Sequence, residues 1–268
     1  MGILNCTPDS FSDGGEYNSL DSAIAFGLRM IYAGADIIDV GGESTRPGAL
    51  PVDEEEEQRR ILPVVSALAK AGALISVDTR HAATAALSLD AGAGLINDVS
   101  GMSVQPDMVA LIAERGVPYV LMHSRGNSQT MDALSSYGDV VEDVISELRE
   151  VRDKFYAAGV APEQIIVDPG LGFSKNAQQN WSLLGNLERF SVLGHKVLVG
   201  TSRKRFLGSL LTSAGKAAAP KERDNATVAT TALAAAKGAW GVRVHDVAAN
   251  LDAAKVAARQ VAAQQVAV

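Results

Sequence analysis

A single cysteine, Cys6, is all the thiol chemistry the chain contains. That excludes an internal disulfide framework and a cysteine-built zinc site, and it agrees with a reducing cytoplasm. No apolar run approaches the roughly 18 residues that a membrane span needs, and the first residues lack a basic-then-apolar signal pattern. The expectation is a soluble cytoplasmic protein. Positive charge is also short: 24 Lys and Arg stand against 31 Asp and Glu, a net charge of −7. The balance argues against non-specific nucleic-acid binding while leaving room for a local basic cluster around a small anion. The expected partner is a small molecule, with no nucleic acid and no membrane. No G-x-G-x-x-G turn follows the first strand, which speaks against a doubly wound open sheet, the alternative fold. No H-x-H, H-E-x-x-H or three-carboxylate spacing supports a tight protein-only metal cage. Nothing mid-chain reads as a linker, so residues 1–268 are read as a single domain, long enough to bury one large core.

What is present is one event repeated. In Gln164-Ile165-Ile166-Val167-Asp168-Pro169-Gly170-Leu171-Gly172-Phe173 an apolar strand stops at an acid and two glycines. The same happens after Ile37-Ile38, Leu74-Ile75, Leu95-Ile96, Tyr119-Val120 and Val197-Leu198, which run into Asp39, Asp78, Asn97, His123 and Gly200. Such runs begin near residues 2, 36, 73, 94, 117, 164, 196 and 240, and between them lie Ala-, Leu-, Glu- and Arg-rich segments with helical patterning at 20–33, 53–70, 81–91, 104–115, 138–158, 177–190, 222–237 and 248–263. Eight strands alternating with eight helices is the count of an α/β fold of the (β/α)8 TIM barrel type, and continuous apolar strands fit a parallel sheet buried on both faces.

A barrel of this kind carries its active site at the carboxyl ends of its strands. Asn5, Asp39, Asp78, Asn97, His123, Asp168, Lys204, Arg243 and His245 would then ring one mouth. Any one of them could cap the next helix, but caps do not require Lys, Arg or His. Arg243 and His245, alternate residues of one strand, would point the same way and, with Asn5, Thr45 and Arg46, offer the donors that a phosphate or diphosphate wants. Asp78, Asn97, Asp168 and Lys204 mix acceptor, amide and ammonium, which suits a flat heterocycle read along its edge. A magnesium ion held mainly by a substrate's phosphates is compatible with this set.

Two segments, 7–15 and 41–48, follow the first and second strands and are long for βα turns, so they are expected as lids over the mouth. The acidic run Asp53 to Glu57 is expected as a solvated helix start, with Glu55 and Glu56 four residues before Arg59 and Arg60.

Seven motifs stand in order: Asn5-Cys6-Thr7-Pro8-Asp9-Ser10-Phe11-Ser12-Asp13-Gly14-Gly15, Asp39-Val40-Gly41-Gly42-Glu43-Ser44-Thr45-Arg46-Pro47-Gly48, Asn97-Asp98, Met122-His123, Asp168 to Phe173, Ser202-Arg203-Lys204 and Arg243-Val244-His245-Asp246. Together they resemble the motif set of the dihydropteroate synthase family, the folate-pathway target of sulfonamides, from residue 2 to about residue 250. The resemblance implies condensation of a dihydropterin methyl diphosphate with 4-aminobenzoate, with Mg2+. It implies that Asp78, Asn97, Asp168 and Lys204 bind the pterin with Arg243 near its face. Asn5, Thr45, Arg46, Arg243 and His245 would hold the diphosphate, with Asn5 a magnesium ligand. Phe11, Pro47, Phe173, Ser202, Arg203 and Lys204 would surround the aminobenzoate. Family members are commonly homodimers packed through late barrel helices. A pterin-dependent methyltransferase would share the pterin acids without needing the anion residues, and a pterin-binding paralogue without turnover is the alternative from another class.

Overall fold

The computed structural model describes residues 1–7, 19–44 and 48–266. Its strands are β1 (Gly2–Asn5), β2 (Ile37–Gly41), β3 (Leu74–Asp78), β4 (Leu95–Asp98), β5 (Tyr119–Met122), β6 (Ile165–Asp168), β7 (Lys196–Val199) and β8 (Gly241–Val242). Each pairs in parallel with the next in chain order. The sheet closes on itself just past β8: Ile3 N–H donates to the Val244 carbonyl at 2.9 Å and Val244 N–H to the Met1 carbonyl at 3.0 Å. The expected (β/α)8 barrel is the observed one.

The helices on the outside are α1 (Ser19–Tyr32), α2 (Glu54–Lys70), α3 (Ala82–Asp90), α4 (Pro106–Arg115), α5 (Val140–Ala157), α6 (Ala177–Gly185), α7 (Arg205–Leu210), α8 (Asp224–Ala236) and α9 (Val247–Val266). Their starts are written locally. The Asp53 carboxylate accepts from Glu55 N–H at 3.0 Å, that of Asp139 from Val141 N–H at 2.9 Å, and the Asn176 side chain from Gln179 N–H at 2.9 Å. Two departures from the periodicity appear. The helix expected over 177–190 stops at Gly185, continuing as a 3-10 segment over Leu187–Leu193, because Gly and Asn at 185–186 are poor interior helix residues. A short α7 lies between β7 and α8 where the pattern showed only a connection.

Alternation along the strands decides what faces where. Leu4, Val40, Val77, Ile96, Leu121, Val167 and Val199 point outward into the layer between sheet and helices. Their neighbours point into the barrel, where Leu95, Val120, Ile166 and Leu198 form a separate small core. One step of two residues beyond that core along β4 and β6, at the carboxyl ends, are Asn97 and Asp168. Asp78 on β3 is in register with Asn97, and Asp39, one inward step lower on β2, is in register with Ser76. The inner face is thus apolar below and ionisable above, which is how the fold collects a site from separate strands.

Candidate active site

The mouth is organised around Arg243. Its backbone N–H continues the β7 pairing by donating to the Val199 carbonyl at 2.9 Å, and its guanidinium reaches across the barrel to β2 and β3. Nε donates to Asp39 Oδ2 at 2.5 Å and Nη2 to Asp78 Oδ2 at 2.7 Å. Asn97 Nδ2 donates to the same Asp39 oxygen at 3.0 Å. That contact fixes the Asn97 amide with its nitrogen toward Asp39, leaving its carbonyl oxygen as the acceptor on the other side. Burial pushes Asp78 up to about 7 even though Arg243 pulls it down, and Arg243 itself is raised above its ordinary value, the attraction of Asp39 and Asp78 outweighing the opposing effect of burial.

Asp168 and Lys204 form the opposite wall. A methyl group added at Gly200 would stand 3.6 Å from Lys204 Nζ and 3.9 Å from both Arg243 Cβ and Asp168 Oδ2, so these three side chains meet over a residue that has none. Asp168 Oδ1 accepts from Gly170 N–H at 2.7 Å, and burial raises its carboxyl above the usual range. Lys204 donates to the Leu171 carbonyl and lies 4.8 Å from the centre of the Phe173 ring. Burial lowers its ammonium to about 8. A cavity of about 380 Å³ opens beside this set, with Asp78 and Phe173 among its lining.

The remaining expectations divide. Asn5 ends β1, in register with Gly41 and beside the loop that follows β2. His245 pairs with the loop after β7: its Nδ1 shares a 2.8 Å hydrogen bond with Ser202 Oγ, whose oxygen also accepts from His245 N–H at 3.2 Å. Ser202 therefore faces His245. Arg203, at a left-handed φ of +59°, turns its guanidinium onto both oxygens of Asp224, at the start of α8, at 2.7 and 2.8 Å. His123 turns its ring toward α5. It is 1% exposed and held between Lys175 and Glu147. Phe11, Thr45, Arg46 and Pro47 lie outside the described residues, as does most of the first expected lid.

The acidic run needs a correction. Glu56 does pair with Arg59 and Arg60 at 2.7 Å each, but Glu57 is 1% exposed and accepts from Thr79 Oγ1 at 3.1 Å and shares a 2.9 Å contact with His81. With Glu43 these residues bring three ligand atoms within 4.8 Å. Arg80 donates to Glu43 at 3.1 Å, so one of the two carboxylates is already paired with a protein cation.

Sequence patterns also missed a third long βα connection, residues 123–139, which anchors the second: Gly48 N–H donates to the Ser128 carbonyl at 2.8 Å and Ser128 Oγ to the Ala49 carbonyl at 3.0 Å. They gave no sign of Lys175, Arg125 and Glu147, whose partners lie on different elements. Asp39 was legible as a member of the ring, though not as its hub.

A closed parallel barrel with three buried carboxylates, an amide, a lysine and an arginine converging at its carboxyl end defines an enzyme-type site for a flat, polar ligand. The family profile described as "Pterin binding enzyme" matches residues 1–245. The dihydropteroate synthase of Mycobacterium leprae is 49% identical over 258 residues, covering 96% of this chain and 91% of that protein. Among solved structures, Xanthomonas albilineans dihydropteroate synthase with 4-aminobenzoic acid superposes at a TM-score of 0.88, with 44% identity, 96% of this chain and 90% of that one. The Yersinia pestis dihydropteroate synthase in its sulfonamide drug complex gives 0.90, with 42% identity and coverages of 97% and 93%. The chain belongs to the dihydropteroate synthase family of pterin-binding enzymes.

Proposed function

We propose that this chain, as one catalytic domain over residues 1–268, condenses (7,8-dihydropterin-6-yl)methyl diphosphate with 4-aminobenzoate to give 7,8-dihydropteroate and diphosphate. It is a transferase of folate biosynthesis. The observation that carries this reading is the convergence of Asp78, Asn97, Asp168, Lys204 and Arg243 on one mouth, in a chain whose relatives along almost its full length are dihydropteroate synthases. Asp78, Asp168 and the outward oxygen of Asn97 read the donors of the pterin edge, and Lys204 supplies a donor beside them. Arg243, already flat across the carboxylates, stacks toward the ring face and completes the diphosphate site with His245, Thr45 and Arg46. Phe173, Ser202, Phe11, Pro47, Arg203 and Lys204 enclose the aminobenzoate. For Ser202 and Arg203 this requires the pairings with His245 and Asp224 to open or to act through the backbone.

Magnesium fits as a resident ion. Asn5 offers a hard amide oxygen at the end of β1, and an ion of this kind takes one or two protein ligands with the rest from phosphate and water. Bound there, it would neutralise charge on the diphosphate. The methylene carbon–oxygen bond breaks first, its electron pair leaving with diphosphate, while Asp78 and Asp168 stabilise the positive charge delocalised into the ring. The aminobenzoate nitrogen then bonds to the methylene carbon and releases a proton to solvent. Sulfonamides, bound in the Yersinia pestis relative, would compete with aminobenzoate here. We place the enzyme in the cytoplasm, a reading supported by one buried cysteine and by the lack, among the described residues, of any helix long and apolar enough to cross a membrane. A homodimer through α8 and α9 is supported by Leu233 and Val256, which are 53% and 69% exposed on those helices.

The test is product formation from the two substrates with and without magnesium, alongside calorimetric titration of a diphosphate-free pterin into Asp168→Ala and Asn97→Ala. Turnover is expected from the unaltered chain, with pterin affinity falling in both variants by about 1–3 kcal/mol for each lost pairing. No product, or undiminished pterin binding in both variants, overturns the reading.

A further inference from the structure

Two residues beyond Phe173 the loop after β6 carries a lysine that the reaction above does not use. Lys175 is 7% exposed. Its ammonium has three protons and finds three acceptors: His123 Nδ1 at 2.8 Å, the Phe173 carbonyl at 2.9 Å and the Gly170 carbonyl at 3.1 Å. Since His123 Nδ1 accepts, the ring proton sits on Nε2, which donates to Glu147 Oε2 at 2.9 Å. Arg125 donates to both oxygens of Glu147 and lies 3.9 Å over the Tyr137 ring. Tyr137 in turn donates its hydroxyl to the Ser174 carbonyl at 3.1 Å. Burial pulls the Lys175 ammonium well below its ordinary value, and the three acceptors set around it, with the attraction of Asp168, oppose that pull.

The segment so held would not keep its shape by itself. Gly170, Gly172 and Ser174 have φ of +69°, +82° and +46°, and a Cβ at Gly170 would stand 1.8 Å from the His123 carbonyl. For Ser174 that conformation costs free energy that the surroundings must supply. The same segment presents the Leu171 carbonyl to Lys204 Nζ and puts the Phe173 ring beneath that ammonium. Fixing the carbonyls of 170, 173 and 174 therefore fixes the wall on which Lys204 rests, whereas Asp168 sits on its own strand and takes one donor, the Gly170 N–H, from this loop.

We propose that Lys175 is a positioning residue for the aminobenzoate half of the reaction, acting through the Gly170 and Phe173 carbonyls on the loop that supports Lys204 and presents Phe173. The proposal rests on the functional reading above, which assigns Phe173 to that half and Lys204 to both halves.

Lys175→Met keeps the length and removes the donors. In steady-state assays it should raise KM for 4-aminobenzoate about tenfold, while the affinity for a diphosphate-free pterin changes by less than about threefold. Tyr137→Phe, which deletes only the hydroxyl on the Ser174 carbonyl, should raise the same KM by about threefold with pterin binding unchanged. Circular dichroism and thermal melts report whether each variant folds. If Lys175→Met does not fold, Tyr137→Phe decides alone. An unaltered aminobenzoate KM, or equal losses for both ligands, in folded variants of an enzyme that turns over normally overturns this proposal only. An unaltered chain that makes no dihydropteroate overturns the function and this role with it.

Discussion

Asp39 and Lys175 are both ionisable and both nearly without solvent contact, yet they sit in networks finished to different degrees. Around Lys175 each proton has an acceptor, and the chain of contacts runs from ammonium to imidazole to carboxylate to guanidinium without a gap. Around Asp39 the accounting stops short. Its Oδ2 takes Arg243 and Asn97, but its Oδ1 has no hydrogen-bond partner among the described residues, and Asp78 next to it is half-titrated near neutrality. A buried polar atom left unpaired costs free energy that selection for stability alone would remove. The complete network reads as scaffold, the incomplete one as a surface waiting for a ligand's donors.

The sharpest way to break that contrast is to remove the cation from the incomplete network. Arg243→Met strips Asp39 and Asp78 of their common counter-charge, and loss of one partner of a buried pair costs about 3–5 kcal/mol. Urea unfolding should show a loss of that size, and Asp39→Asn added to Arg243→Met should recover part of it by removing the stranded charge. A single variant as stable as the parent would mean that the carboxylates are not held at the expense of the fold, and the contrast would fail.

The difference between the networks also explains what could be read in advance. Asp78, Asn97, Asp168 and Lys204 follow apolar strands, and alternation alone puts such residues at a barrel mouth, so their assembly was legible from spacing. Lys175 and Glu147 carry no such signal: their partner His123 lies 52 and 24 residues away along the chain, one partner being on the face of α5. For Ser202 and Arg203 the place after β7 was legible but the partners were not, because His245 and Asp224 come from elements that only the fold brings beside them. Glu57 looked like one more helix-start acid until α3 supplied His81 at its N-cap.

A smaller effect probes the complete network through its histidine. With Nδ1 accepting from Lys175 and Nε2 donating to Glu147, His123 has no lone pair for a second proton. Burial, then the Lys175 charge, pushes its pKa down to about 4 from the ordinary 6.5. The unfolded chain therefore takes up a proton near 6.5 while the folded one does so only near 4. In that window the unfolded state binds more protons, so stability is present above 6.5 and is lost as pH falls toward 4, by about 3 kcal/mol in all. Denaturation midpoints at several pH values in parent and His123→Gln should differ in slope across this window and run parallel above it. Equal slopes would mean that His123 accepts its proton inside the fold and that the network is less complete than its geometry.

The mildest effect belongs to Asp78, and it separates binding from stability. Its carboxyl, raised by burial to about 7 against the pull of Arg243, is protonated in the folded protein at pH values where it is ionised in the unfolded chain. By the same linkage this contribution to stability is full below the unfolded value and is lost as pH rises through about 7. Ligand binding has the opposite sign, because only the ionised form offers both oxygens to the donors of a pterin edge. Affinity for a diphosphate-free pterin should therefore climb by up to about tenfold per pH unit below 7, equivalent to about 1.4 kcal/mol, and level off above it. Near 8, loss of the Lys204 proton should begin to lower it again. Calorimetric titration between pH 5.5 and 8.5 reads both limbs. In Asp78→Asn the acidic limb should vanish while the alkaline one remains; if the acidic limb persists, another group sets it, and the incomplete network is not tuned by the proton on Asp78.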